Sequence, residues 1–379
     1  MAKKLRVGVV FGGRSSEHEV SVRSAASVIE AIDRKKYDVL PIAITREGKW
    51  LSPPEAARLL TPAAQSRLPP QTEGMIRSDV AILGDPSYTG LLSFDPNGGS
   101  PSSERLDVVF PVLHGPFGED GTLQGLLEMA SIPYVGCGVL ASACGMDKVA
   151  MKLLFLQAGL PMCRYVWFLR SHWQNNSSKV IKTVARDIGF PCFVKPANLG
   201  SSVGVSKAVD KASLEHAVEL AAGFDRKIIV EEAVDAREIE CAILGNDEPQ
   251  ASLPGEYLVH DNSAGFLDYT EKYAKTGHVD FVVPAPVSKS LVTRIQRMAI
   301  RAFRSVDGAG LARVDFFLKR DTKELLINEL NTMPGLTEVS GYPKMWAASD
   351  LSYTRMLDRL IELAFERHRE KSLNKATLT

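Results

Sequence analysis

Leu311-Ala-Arg-Val-Asp-Phe-Phe-Leu318 is followed by a polar link, Lys319 to Lys323, and then by Glu324-Leu-Leu-Ile-Asn-Glu-Leu-Asn331. Two β-rich runs around a turn centred near Thr322 predict an antiparallel hairpin. With that centre, Asp315 lies across from Glu329 and Arg313 across from Asn331. Alternation puts Arg313 and Asp315 on one face and Ala312, Val314 and Phe316 on the other. Two carboxylates directly opposite each other repel unless something neutralises them. Asp, Glu and Asn together are hard oxygen donors, the preference of Mg²⁺ ions that also hold nucleotide phosphates. The blander reading is a solvated face on which Arg313 pairs with Asp315. Four polar groups share one face of otherwise apolar strands, and Pro334-Gly335 follows, which favours a metal site.

Upstream, Lys195-Pro-Ala-Asn-Leu-Gly-Ser-Ser-Val-Gly204 lies between two expected strands, Pro191 to Lys195 and Val203 to Lys207. Small residues let backbone N–H groups wrap phosphate oxygens, and Lys195 adds positive charge. It is not a P-loop, because the lysine precedes the glycines and no helix opens on Gly-Lys-Ser/Thr. Lys148 starts an expected helix, Lys148 to Gln157, as a second phosphate contact or a surface lysine. Glu231-Glu232-Ala-Val234 ends a strand, Lys227 to Glu232, with Glu238 soon after. These are either ligands for a base and ribose or an acidic strand terminus.

At the other end, Arg6 to Phe11 is a short β-rich run closed by Gly12-Gly13. Ser16 and Glu19 have capping-box spacing, with Ala25, Val28, Ile29 and Ile32 as a helical stripe behind them. Leu40, Ile42 and Ile44 alternate as a strand in which Pro41 argues for an edge. Strand, glycine turn, helix and strand open a wound α/β domain. Residues 53–104 are rich in Pro, Ser and Gly and carry little periodic signal. Val108 to Leu113 reads as a buried strand, Leu123 to Ala130 and Ser213 to Ala222 as helices, Leu291 to Ala302 as a long helix. The polar tail after Arg367 is expected to fray.

The chain has 379 residues, enough for about two or three packed units. Lys plus Arg and Asp plus Glu are 45 each, so no net field draws it to nucleic acid or anionic lipid. Five scattered cysteines without a CxxC pair read as reduced thiols of a cytoplasmic protein. The opening residues lack the long apolar core of a signal peptide, and no apolar run reaches membrane-spanning length. No internal repeat or low-complexity tract is evident.

Several longer stretches together resemble D-alanine–D-alanine ligases of the ATP-grasp superfamily. They are Phe11-Gly-Gly-Arg-Ser-Ser-Glu-His-Glu-Val-Ser21, Leu113-His-Gly-Pro-Phe-Gly-Glu-Asp-Gly-Thr-Leu-Gln-Gly125 and Met146-Asp-Lys148. Lys195 to Gly204, Tyr269-Thr-Glu-Lys-Tyr273, Arg313-Val-Asp315 and Asn328-Glu-Leu-Asn-Thr-Met-Pro-Gly335 complete the set, in family order. The resemblance implies an α/β protein of three domains. These would be an N-terminal wound α/β substrate domain (residues 1–136), a central ATP-grasp domain with the glycine loop (137–230) and a C-terminal ATP-grasp domain with metal and catalytic residues (231–379).

It also implies roles. Lys148 and Lys195 would contact ATP phosphates, Ser201 and Ser202 would lie in the mobile glycine loop, and Lys272 would reach the γ-phosphate from a loop spanning His260 to Thr276. Glu231, Glu232, Val234 and Glu238 would hold adenine and ribose, and Asn328 would also contact the nucleotide. Asp315 and Glu329 would bind one Mg²⁺ ion and Glu329 and Asn331 another, with Mn²⁺ an alternative. Glu17 would bind the first D-alanine's ammonium group, His114 would belong to the substrate site, and Ser340 would hold the second substrate's carboxylate. Arg313 and the Gly335 N–H would stabilise the tetrahedral oxyanion. Glu17, Ser201 and Tyr273 would form a hydrogen-bonded set over the closed site. Tyr273 stands where depsipeptide-forming relatives carry a histidine, which favours dipeptide formation; Gly341 and Thr270-Glu271 sit where the family varies. A homodimer is implied, with small-molecule substrates only, in peptidoglycan precursor synthesis. The rivals are a D-alanine–D-lactate or D-alanine–D-serine ligase, a carboxylate kinase, and a non-catalytic nucleotide sensor.

Overall fold

The structure, a computed structural model, describes residues 3–69, 79–94, 101–200, 202–259 and 279–375. Ser201, Lys272, Tyr273 and the expected loop His260 to Thr276 lie outside the described residues.

The N-terminal part runs β1 (Leu5–Gly12), α1 (His18–Ala31), β2 (Tyr37–Ile44), β3 (Trp50–Leu51), two short helices α2 (Pro53–Ala57) and α3 (Pro62–Ser66), β4 (Asp79–Ala81), β5 (Gly90–Phe94), β6 (Ser102–Arg105), β7 (Val108–Leu113) and α4 (Thr122–Met129). Its main sheet has the order β3-β2-β1-β7, with β1 parallel to both β2 and β7. A parallel sheet covered on both faces needs continuous apolar strands, and β1 supplies one. Val7, Val9 and Phe11 enter the core shared with Ala25, Val28 and Ile29 of α1, while Val10 enters the core of Leu123 and Leu127. Gly12 ends the strand at φ 91°, where a Cβ would lie 2.2 Å from the Ile44 carbonyl oxygen. Pro41 sits beyond the two-residue pairing of β2 with β3 at Ala43 and Ile44, in keeping with an edge position. The expected Ser16–Glu19 capping box does not form. The helix starts at His18, with Glu17 as N-cap and no side-chain cap bond, and Glu19 instead pairs with Arg46 at 3.1 Å. The 53–104 stretch, silent in periodicity, contributes α2, α3 and an antiparallel sheet β4-β5-β6.

Next come α5 (Val139–Met146), α6 (Lys148–Gln157), β8 (Tyr165–Leu169), α7 (Arg170–Asp187), β9 (Cys192–Pro196), β10 (Ser206–Ala208), α8 (Lys211–Phe224) and β11 (Lys227–Glu232). The sheet is antiparallel in the order β10-β9-β11-β8, packed on α7 and α8 through Val184, Leu214 and Val218. β10 begins later than the expected Val203. Ser202 and Gly204 adopt φ 57° and 72°, left-handed values that belong to a turn and not to a strand.

The last part comprises β12 (Ala236–Gly245), β13 (Gln250–Ala251), β14 (Gly255–Val259), β15 (Val279–Val282), α9 (Lys289–Ser305), β16 (Gly310–Lys319), β17 (Leu325–Asn331), α10 (Gly341–Ala347) and α11 (Tyr353–Ser372). Its sheet has the order β15-β14-β12-β16-β17, with β13 paired to β12. The predicted hairpin register holds: Arg313 pairs with Asn331 and Asp315 with Glu329. Ala312, Val314 and Phe316 point into a core with Ile295, Ala299 and Phe303 of α9. One feature was not foreseen. Between Asp315 and Phe316 the register shifts, so that Phe316 pairs with Ile327 and Asn328 is an extra residue in a β-bulge. Helix α11 continues past the expected fray point because Arg367 stacks on Tyr134 at 4.1 Å and Lys371 pairs with Glu128 at 2.6 Å. Through Leu357, Leu360 and Ile361 it packs into the core of β1 and α1.

Candidate active site

The three parts meet around an open cleft. Glu17 and His114 reach it from the N-terminal part, and Lys148, Lys195 and Ser202 from the central part. Glu238, Arg313, Asn328, Glu329, Asn331 and Gly335 come from the C-terminal sheet and the turn after it. The family resemblance assigns all of these to one site, although they span more than three hundred positions. Asp315, Ser340, Glu231, Glu232 and Val234 do not line the cleft. Asp315 is buried behind Arg313, and Ser340 is buried at the N-cap of α10 with its hydroxyl 2.6 Å from that of Thr337. Glu232 is held by Arg164 at 2.8 Å. Val234 is half-buried between β11 and β12.

The hairpin face unites both readings made of it. Arg313 does pair with Asp315, through Nε at 2.7 Å and Nη2 at 2.6 Å, a bidentate fork. Arg313, Glu329 and Asn331 of this face nevertheless line the cleft, with Asp315 buried behind them. Asn331 donates to the same carboxylate at 3.3 Å. Glu240 of β12, in register with Asp315 on its other side, approaches the guanidinium at 3.2 Å. Sequence reasoning missed Glu240, whose signal was its two-residue spacing from Glu238 on a strand otherwise buried. Buried carboxylates this close need a cation beside them, and among the described residues Arg313 meets both Asp315 and Glu240. Among the described residues no group of three or more His, Cys, Asp or Glu side chains is placed to hold a metal ion. Asp315, Glu329 and Asn331 are a smaller set of oxygen donors on adjacent strands. Such a set fits Mg²⁺, which keeps part of its hydration shell and takes phosphate oxygens as further ligands.

The opposite wall is cationic. Lys148 donates to the Leu199 carbonyl at 2.6 Å, and Lys195 meets Glu231 Oε2 at 2.7 Å. Glu231 Oε1 is taken by Lys152 at 2.9 Å, a residue that sequence reasoning overlooked although it lies one helical turn after Lys148. Burial alone pushes Glu231 up, but Lys152 and Lys195 outweigh it and hold the carboxyl far below its usual range. Burial lowers Lys148, reinforced by the Lys195 and Lys152 charges. Burial also acts downward on Lys195, but Glu231 and Glu329 raise it above its ordinary value.

His114 is buried with Nδ1 3.1 Å from the Met333 carbonyl. A carbonyl only accepts, so Nδ1 carries the hydrogen, and Nε2 has no hydrogen-bond partner among the described residues. Burial pushes the imidazole down, yet the Glu119 and Glu17 carboxylates and the Met333 carbonyl bring it above 6.5. A raised histidine contributes stability that is fully present below the unfolded value and lost as pH rises through the folded one. The stability gap between the wild type and His114→Gln, measured by urea unfolding, should therefore shrink as pH rises upward from 6.5. A gap that widens with pH would contradict this.

The family model described as D-ala D-ala ligase N-terminus matches residues 6–137, and that described as D-ala D-ala ligase C-terminus matches residues 154–362. A D-alanine–D-alanine ligase of Heliobacterium modesticaldum is 47% identical over 372 residues, covering 98% of this chain and 97% of its own. The structure superposes on the D-Ala:D-Ser ligase VanG from Enterococcus faecalis with TM-score 0.82 at 37% identity, covering 96% of this chain and 100% of that one. A D-alanine–D-alanine ligase from Coxiella burnetii gives TM-score 0.79 at 34% identity, with 98% and 97% covered. With both halves matched and the architecture shared end to end, this chain belongs to the D-alanine–D-alanine ligase family and has its ATP-grasp fold.

Proposed function

We propose that this protein joins two D-alanine molecules into D-alanyl-D-alanine, with ATP converted to ADP and phosphate, as a step in peptidoglycan precursor synthesis. The observation that carries the reading is a single cleft with a carboxylate–arginine face on one side and buried lysines on the other. A carboxylate oxygen of the first D-alanine attacks the γ-phosphorus, and the bond to the β-phosphate bridge breaks to release ADP. The neutral amine of the second D-alanine then attacks the carbonyl carbon of the acyl phosphate. Phosphate departs with the oxygen that came from the carboxylate, and the amine loses its proton.

In this reading Lys148 and Lys195 hold phosphates, with Ser202 and Asn328 beside them. Glu232 and Val234, with Glu238, take adenine and ribose; Glu231, expected among them, is off the cleft with its two carboxylate oxygens on Lys152 and Lys195, and so makes no contact with the nucleotide. Asp315, Glu329 and Asn331 hold Mg²⁺, or Mn²⁺, which when bound neutralises and polarises the transferring phosphoryl oxygens. Glu17 and His114, which line the cleft, place the first substrate, and Ser340 keeps the second-substrate role that the family resemblance gives it. Arg313 and the Gly335 N–H meet the oxyanion of the tetrahedral intermediate. Ser201, Lys272 and Tyr273 keep the roles that the family resemblance gives them. We extend the reading to three domains divided near residues 136 and 230, to a homodimer and to a cytoplasmic setting, which suits five free cysteines.

The likeness to a D-Ala:D-Ser ligase makes the second substrate the sharpest alternative. Phosphate release should require D-alanine in addition to ATP. With D-alanine, D-serine and D-lactate offered in turn as second substrate near neutral pH, D-alanyl-D-alanine should dominate. Preferential formation of either mixed product would replace this assignment.

A further inference from the structure

Lys152 belongs to no role described above, yet it is one of the largest fully buried side chains, 1% exposed. It does not line the cleft. Its ammonium group meets Glu231 Oε1 at 2.9 Å, while Lys195, which does line the cleft, meets Oε2 of the same carboxylate at 2.7 Å. Lys152 also donates to the carbonyl of the bulged Asn328 at 3.4 Å and lies 5.7 Å from the centre of the Tyr165 ring. A buried ammonium is costly to desolvate, and a methionine would fill this space without that cost. We propose that Lys152 is a positioning residue that keeps Lys195 available to nucleotide phosphate by occupying the other half of the Glu231 carboxylate.

The argument is one of charge. Two ammonium groups and one carboxylate leave this trio with one net positive charge facing the cleft. Without Lys152 the carboxylate cancels Lys195 alone, and the trio offers an incoming polyanion nothing. With both lysines present, each oxygen of Glu231 is committed to one of them, so Lys195 is fixed in direction without being neutralised. The bond to Asn328 ties this arrangement to β17, the strand that carries Glu329. The inference rests on the proposed contact between Lys195 and a phosphate.

Binding of ADP to the full-length protein, measured by calorimetry in magnesium-containing buffer, tests it. Lys152→Met should weaken ADP by roughly tenfold through the lost charge, and should raise KM for ATP more than it lowers kcat. Lys152→Met combined with Glu231→Gln restores one net positive charge and should recover most of the affinity. Lys152→Arg should also retain it. A strut that acts only by packing predicts the reverse, a double variant no better than the single one. Wild-type affinity in Lys152→Met, or no recovery in the double variant, would overturn the proposal. If the methionine variant does not fold, Lys152→Gln, with and without Glu231→Gln, gives the same contrast. Lys195→Ala separates the two levels: it should weaken ADP at least as much. Unchanged affinity in that variant removes the phosphate contact itself, and this inference with it.

Discussion

Glu329→Ala should lower kcat for ATP-dependent ligation by roughly a thousandfold, the rate equivalent of several kcal/mol of lost charge stabilisation. The fold should survive. Glu329 is half-buried and stands in register with Asp315 on the neighbouring strand. Removing one of two opposed carboxylates relieves repulsion, and an alanine in a paired strand breaks no backbone bond. Phosphate release and circular dichroism on the same preparation check both halves. Near-wild-type turnover would remove the metal assignment, and loss of the fold would show that Glu329 is structural first.

Arg313→Met should be damaging twice over. Its guanidinium is the shared counter-ion of Asp315, at 2.6 Å, and of Glu240, at 3.2 Å. Truncating one partner of a buried ion pair costs about 3–5 kcal/mol, because the remaining carboxylates stay buried and lose this cation. Loss of an oxyanion donor costs about a hundredfold to a thousandfold in kcat. Arg313→Lys separates the two effects. A lysine returns the charge without the bidentate fork, so urea unfolding should show most of the stability restored while kcat remains depressed. Full recovery of kcat in the lysine variant would show that only charge is needed there.

These predictions depend on a hairpin whose register was legible from sequence, because a polar turn and alternating apolar residues fix which side chains oppose each other. The Asn328 bulge was not legible. It changes pairing without altering hydrophobic alternation on the side that carries Asp315, and so leaves no periodic trace. The Ser16–Glu19 pattern misled for a related reason. Capping spacing is a local signal, and the helix start is set by the Gly12-Gly13 turn, where Gly13 donates its N–H to the Ile44 carbonyl at 2.7 Å. Lys152 and Glu240 are the more instructive omissions. Both are charged residues in segments that read as apolar, and each makes sense only with a partner far away in the chain, Glu231 for one and Arg313 for the other. Composition and spacing cannot pair residues across strands that have not yet been ordered. The motifs within the described residues each bring at least one side chain to the cleft: Glu17, His114, Lys148, Lys195, Arg313 and Glu329; the Tyr269 to Tyr273 motif lies outside the described residues.

The central claim is that ATP activates the carboxylate of the first D-alanine before the amine attacks. D-alanine labelled with ¹⁸O in its carboxylate tests it directly, by mass analysis of the phosphate released during dipeptide synthesis. An acyl phosphate intermediate transfers one labelled oxygen to each phosphate. Unlabelled phosphate would mean that water, and not the carboxylate, receives the phosphoryl group, and the account would fail at its first step.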